Sequence, residues 1–196
     1  MAALRPSVQR EAVNEPSRAE ETIEHASFLA SQLAFYGAYH HHKGNRAIHL
    51  VFVPTLVWTA AVMIATMVPG AELVLLASYA MFYLVLDVLA GASWILCIGL
   101  PCLWATYSLQ KATPPACVIS LGLHMLSWLI QVAIGHAMLE KRKPALLDSL
   151  FQSFALAPLF VWMEVLFFLG YKPKLEREVE QLVQKKISTM EVGKKR

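Results

Sequence analysis

Ala47-Ile48-His49-Leu50-Val51-Phe52-Val53-Pro54-Thr55-Leu56-Val57-Trp58-Thr59-Ala60-Ala61-Val62-Met63-Ile64-Ala65-Thr66-Met67-Val68-Pro69-Gly70-Ala71 contains no Asp, Glu, Lys or Arg. Val88 to Gln110 and Ala112 to Leu139 are also free of charge. Uncharged apolar runs of about 18 residues or more are long enough to cross a bilayer as helices. The composition agrees. The chain is 57% hydrophobic and 16% charged, where soluble domains carry about 25% charge. An open sheet is excluded, because lipid cannot satisfy unpaired backbone groups. The fold class is therefore all-α: a polytopic helical membrane protein.

Working outward from the first run, the chain divides as follows. Residues 1–24 are polar, of mixed charge, and interrupted by Pro6 and Pro16. They lack the apolar core of a secretory signal and read as a flexible tail. Residues 25–173 read as the integral membrane domain and 174–196 as a charged cytosolic tail. Ser27 to His42 places Phe28, Leu29, Leu33, Phe35, Tyr36 and Tyr39 at near-helical spacing, which predicts a helix lying in the interface. Lys43-Gly44-Asn45 is expected to break it. About four spans follow: Ala47 to Val68, Leu73 to Ala90, Trp94 to Leu109 and Ala116 to Leu139. A tight reversal is expected at Gly91-Ala92-Ser93 and a kink at Pro101. Ser149 to Tyr171 is apolar but interrupted by Pro158. Positive residues mark the cytoplasmic side. A Pro-broken apolar hairpin there keeps three basic stretches on one side: Lys43 with Arg46, Lys141 to Lys143, and Lys172 with Lys174 and Arg177. The net charge of +3 is split between the ends, so nucleic acid is not an expected partner. Cys97, Cys102 and Cys117 all lie in apolar segments, which argues against a disulfide framework.

Four of the seven histidines, His40, His41, His42 and His49, stand where the polar N-terminus meets the first span. Neutral imidazole is the commonest metal ligand. His49 begins span one and His136 ends span four, so both lie at the same membrane face. His40 can join them if Gly44-Asn45 turns the chain back, because a straight helix would hold the two about 13 Å apart. His41 and His42 point away from His40 on a helix. His124 lies about 18 Å along the axis from His136, so it could bind a second ion or donate a hydrogen bond within the bundle. Glu140 follows His136 by one turn. It could complete the two-histidine-one-carboxylate set of non-haem Fe(II) oxygenases or orient His136 from behind. Asp87 and Glu164 are candidates because charge in a span is costly.

The two ordered motifs are Tyr36-x3-His40-x4-Asn45-x3-His49, ahead of an apolar run with Pro54, and Trp128-x2-Gln131-x3-Gly135-His136-x3-Glu140-x-Arg142-x-Pro144-Ala145. Together with Ser31-Gln32-Leu33-x-Phe35-Tyr36 and Leu156-Ala157-Pro158, they resemble the endoplasmic reticulum membrane family of 2-hydroxy fatty acid dioxygenases. Its fungal members act in fatty acid α-oxidation during phytosphingosine degradation. The resemblance covers roughly residues 31–173. It implies an Fe(II)-dependent enzyme that uses O2 to shorten a 2-hydroxy fatty acid by one carbon. The family's histidines carry over to His40, His49 and His136, with His124 as a further candidate ligand. A 2-hydroxy carboxylate can chelate Fe(II) through two oxygens, which suits a histidine site with open positions. The acyl chain is expected among the spans, with Lys141 or Arg142 pairing the carboxylate.

Two rival classes stand beside this. A di-iron lipid hydroxylase or desaturase needs more histidines, arranged in closely spaced boxes that this chain lacks. A non-catalytic membrane scaffold or lipid-binding protein would use the histidines structurally. Bound metal separates the enzyme readings from the scaffold.

Overall fold

The computed structural model describes residues 27–113, 115–144 and 149–194. The tail expected over 1–24 lies outside the described residues. Seven helices appear among them: α1 Phe28–Tyr39, α2 Lys43–Met67, α3 Ala71–Leu86, α4 Val88–Ala112, α5 Ala116–Glu140, α6 Gln152–Phe168 and α7 Pro173–Lys194. α2, α4 and α5 are long and apolar enough to cross a membrane. Their outer faces stay greasy: Val51, Leu96, Trp104, Val118 and Leu129 are all exposed, as expected where lipid is the solvent.

α2 is the central helix and packs against α3, α4, α5 and α6. Polar pairs fix the alternation of directions. Thr66 meets Gln110, and Tyr107 donates to Glu72 at 2.8 Å. Those residues share one end of the bundle. At the other end, Asn45 donates to Glu140 and Arg46 pairs with Glu164. Lys172 meets Asp87 there at 2.6 Å. The three basic stretches therefore gather at the end where α2 begins.

Four local expectations are corrected. The second expected span is only the 16-residue α3, about 24 Å at 1.5 Å per residue, so three helices rather than four reach full length. The reversal after it falls at Asp87, not at Gly91-Ala92-Ser93. Asp87 is extended (φ −161°) and its carboxylate accepts from the Ala90 N–H at 3.1 Å, which caps α4. Gly91 serves the close approach of the two helices instead, since a Cβ there would sit 2.7 Å from the Tyr83 carbonyl carbon. Widened π-type turns over Ile95–Gly99 then carry α4 into Pro101.

The break after α1 comes at His40 to His42 rather than at Lys43-Gly44-Asn45, which opens α2. His42 caps that helix, its Nδ1 accepting from the Gly44 N–H at 3.1 Å.

The Pro-broken hairpin is a single helix among the described residues. Pro158 falls just after π-type turns over Gln152–Leu156, and the helix continues. α6 starts part-way along the bundle, because Tyr79 and Tyr83, in the middle of α3, bond the carbonyls of Phe154 and Ala155. It ends beside Arg46, at the basic end.

The charged stretch expected as a tail over 174–196 forms the helix α7. It is amphipathic and docks on α1, burying Val179, Leu182 and Val183. Gly37 makes room, since a Cβ there would lie 2.8 Å from Val183.

Candidate metal centre

Each ligand-bearing residue sits where a helix starts or stops. His40 ends α1, and its backbone N–H bonds the Gly37 carbonyl at 3.1 Å. His49 lies on α2, just inside the bundle. His136 lies in the π-type turns of Ile130–Glu140 that end α5. All three are buried. Their ligand atoms lie within 4.8 Å of one another. The ring centroids are 4.3, 4.9 and 5.1 Å apart, with interplanar angles of 70–80°. That spacing brings one ring nitrogen of each residue to the same small space.

Hydrogen bonds fix the tautomers. A carbonyl can only accept, so His40 Nδ1, 2.8 Å from the Tyr36 carbonyl, carries a proton. His49 Nδ1 likewise donates to the Asn45 carbonyl at 3.0 Å. Both Nε2 atoms then hold lone pairs. His40 Nε2 is buried without a partner, and so is His136 Nδ1. A buried nitrogen with no partner is costly, and a metal ion removes the cost. The residues present therefore fit a metal. Burial, reinforced by the neighbouring histidines, holds the His40 imidazole well below its usual range, so it is neutral and ready to ligate.

Glu140 is placed behind the cluster rather than in it. Its carboxylate accepts from the His41 N–H at 3.0 Å, the His42 N–H at 2.9 Å and Asn45 Nδ2 at 3.2 Å. It thus ties the loop after His40, the start of α2 and the end of α5 together. Gly135 permits the contact, because a Cβ there would run into Asn45 Oδ1.

His124 stands apart from the three. Trp128 Nε1 donates to its Nε2 at 3.2 Å, so its Nδ1 is the protonated nitrogen and faces Thr59 Oγ1 at 2.8 Å. Thr59 donates onward to the Thr55 carbonyl. Both ring nitrogens of His124 are engaged. His41 is exposed, and His42 is engaged as the cap. Lys141 is exposed in a left-handed conformation (φ 54°) and Arg142 is half-buried. Their backbone N–H groups both close on the His136 carbonyl.

A cavity of about 140 Å³ opens from the three histidines into the bundle. Val53, Leu56, Val57 and Leu75 make it apolar, Tyr36, His124 and Trp128 add aromatic walls, and among the described residues no Asp, Glu, Lys or Arg lines it. A second, more polar cavity of about 660 Å³ lies on the other side of His40, between α1, α2, α6 and α7. Among the described residues, only His40 lines both. The sequence reading missed Tyr36, Asn45 and Gly135 as contributors to the site, although all three stand inside its motifs. Spacing could not say what their side chains touch.

Fold and site together define a helical membrane protein whose buried three-histidine cluster heads an apolar cavity. The chain belongs to the Mpo1-like family, whose model, described as 2-hydroxy-palmitic acid dioxygenase Mpo1-like, matches residues 26–169. It is 37% identical over 160 residues to the 2-hydroxy-palmitic acid dioxygenase MPO1 of Saccharomyces cerevisiae, covering 78% of this chain and 87% of the relative. No solved structure matches.

Proposed function

We propose that this protein is a membrane dioxygenase that uses Fe(II) and O2 to convert 2-hydroxy fatty acids to fatty acids one carbon shorter. The observation that carries the reading is the convergence of His40, His49 and His136 at the head of an apolar cavity, in a chain whose relative is a 2-hydroxy-palmitic acid dioxygenase. His40, His49 and His136 hold the iron. Three histidines would hold such an ion and leave it open to further ligands. Bound Fe(II) supplies the redox centre that activates O2 and polarises the substrate's oxygens.

The chain's own residues do the rest. The Tyr36 and Asn45 carbonyls keep the rings turned inward. Glu140 fixes the loop that presents His40. The cavity takes the acyl chain and keeps water from it. The basic end of the bundle, where the histidines lie, faces the cytoplasm by the positive-inside rule, and the membrane is that of the endoplasmic reticulum. The activity belongs to fatty acid α-oxidation, in the degradation of phytosphingosine.

The test is aerobic incubation of detergent-purified protein with 2-hydroxypalmitate, with and without Fe(II). The expected product is the acid one carbon shorter, formed only with iron. His40→Ala, His49→Ala and His136→Ala each lose iron and turnover while expression survives. Full activity in all three variants would overturn the site.

A further inference from the structure

We propose that the Tyr36 hydroxyl is the protein's hydrogen-bond donor to the carboxylate of the acid bound in the first cavity. The inference rests on reading that cavity as a fatty-acid site.

Tyr36 is 3% exposed. A buried tyrosine hydroxyl normally finds a partner. Tyr79, Tyr83, Tyr107 and Tyr171 each donate theirs to a carbonyl or carboxylate at 2.8–2.9 Å. The Tyr36 hydroxyl has no hydrogen bond to any described residue. It is not among the sealed, unpartnered polar atoms either. The hydroxyl of a buried residue that is neither bonded nor sealed opens onto the cavity that the residue lines.

The ring cannot swing away. It stacks on His40 at 3.9 Å and 6° and also meets Phe160 at 4.3 Å, with His40 and Phe160 themselves 6.1 Å apart. The Tyr36 ring is therefore held against His40, one of the three histidines that the head group of a bound acid approaches.

Among the described residues, no cation lines the cavity. Lys141 and Arg142 do not line it. Lys43 and Arg46 line the second cavity, beyond His40, where Arg46 is paired with Glu164. An acid in the first cavity therefore meets neutral donors, and Tyr36 is the one that also touches the histidine cluster. A hydrogen bond to an ionised acceptor is stronger than a neutral one and corresponds to about tenfold or more in affinity.

The experiment uses the full, iron-loaded chain in detergent. Tyr36→Phe keeps both ring contacts and removes only a hydroxyl without a protein partner, so fold and metal content are expected to match wild type. Binding of hexadecanoate, 2-hydroxyhexadecanoate and hexadecane-1,2-diol is followed by tryptophan fluorescence, since Trp128 lines the cavity. The expected result is a loss of about tenfold or more for both acids, with the diol unchanged. Unchanged acids, equal weakening of all three ligands, or loss of iron each overturn the proposal. A wild-type chain that binds acids through Tyr36 but consumes no O2 with 2-hydroxyhexadecanoate would sink the dioxygenase reading and leave this one standing.

Discussion

His40 and His49 each direct Nδ1 to the carbonyl four residues back, Tyr36 and Asn45. One residue-level device thus sets the tautomer twice. It was half legible. The Tyr36-x3-His40 and Asn45-x3-His49 spacings are in the sequence, but ring orientation is not. The shift on His40 has a sign that can be checked. Burial lowers its basicity, so protons compete with the metal only at lower pH than for an ordinary imidazole near 6.5. His40 should contribute no loss of metal affinity between pH 7.5 and 6, and metal titrations at the two values measure this. In the metal-free protein the unfolded chain takes up a proton below about 6.5 that folded His40 does not. Apo stability should therefore fall as pH drops through that range, which melts at stepped pH would show. Glu140 makes a second test at this scale. Its three donors come from the loop and from α2. Glu140→Gln should weaken metal binding roughly 10- to 100-fold yet leave the spectrum of the saturated cobalt-substituted protein unchanged. A changed spectrum would make Glu140 a ligand.

At the scale of elements, the uncertain segment was α6, because Pro158 in an apolar run reads equally as a break or a bend. Proline lacks the N–H that would bond the carbonyl of Phe154 and crowds the turn before it. The π-type turns over Gln152–Leu156 absorb the crowding. Tyr79 and Tyr83, far away in sequence, supply hydroxyls to the Phe154 and Ala155 carbonyls at 2.9 and 2.8 Å. That solution could not be read locally. Within a membrane a carbonyl without water must find a protein donor. Tyr79→Phe and Tyr83→Phe should each destabilise the protein by about 1 kcal/mol, and the pair by more than either alone, as read by unfolding in mixed detergent. The helices with undisturbed 3.6-residue periods, α2 and most of α5, were placed from sequence to within a few residues. The misplaced boundaries, at His40 to His42 and at Asp87, are those set by side-chain caps rather than by Gly or Pro. A capping histidine has no strong sequence signature.

For the whole molecule, what must be explained is how a short α3, an α6 that starts part-way along the bundle and an external α7 form one body around the three histidines. Charge placement called for a Pro-broken hairpin to keep the basic stretches together, and a single α6 that starts part-way along the bundle stands in its place. Charge placement did not anticipate the fastening. Asp87, at the break between α3 and α4, accepts from Lys172 at 2.6 Å and Tyr171 at 2.9 Å, in the turn between α6 and α7. Its carboxylate is 2% exposed, while the Lys172 ammonium is half in water. Burial raises the Asp87 pKa, but the hydrogen bonds from Lys172, the Ala90 N–H and Tyr171 outweigh it and hold the carboxyl below its usual range. A depressed carboxylate contributes stability above its unfolded pKa of about 3.9 and loses it only as pH falls through the lower folded value. The latch should therefore be intact from pH 8 to 5. Asp87→Ala should lower the melting temperature by several degrees across that interval, because it unties the turn from the bundle and uncaps α4, with a combined loss of about 2 kcal/mol. Near pH 3 the gap between variant and wild type should narrow, since protonation then weakens the wild-type latch too. A constant gap down to pH 3 would mean that Asp87 acts through packing and not through its charge.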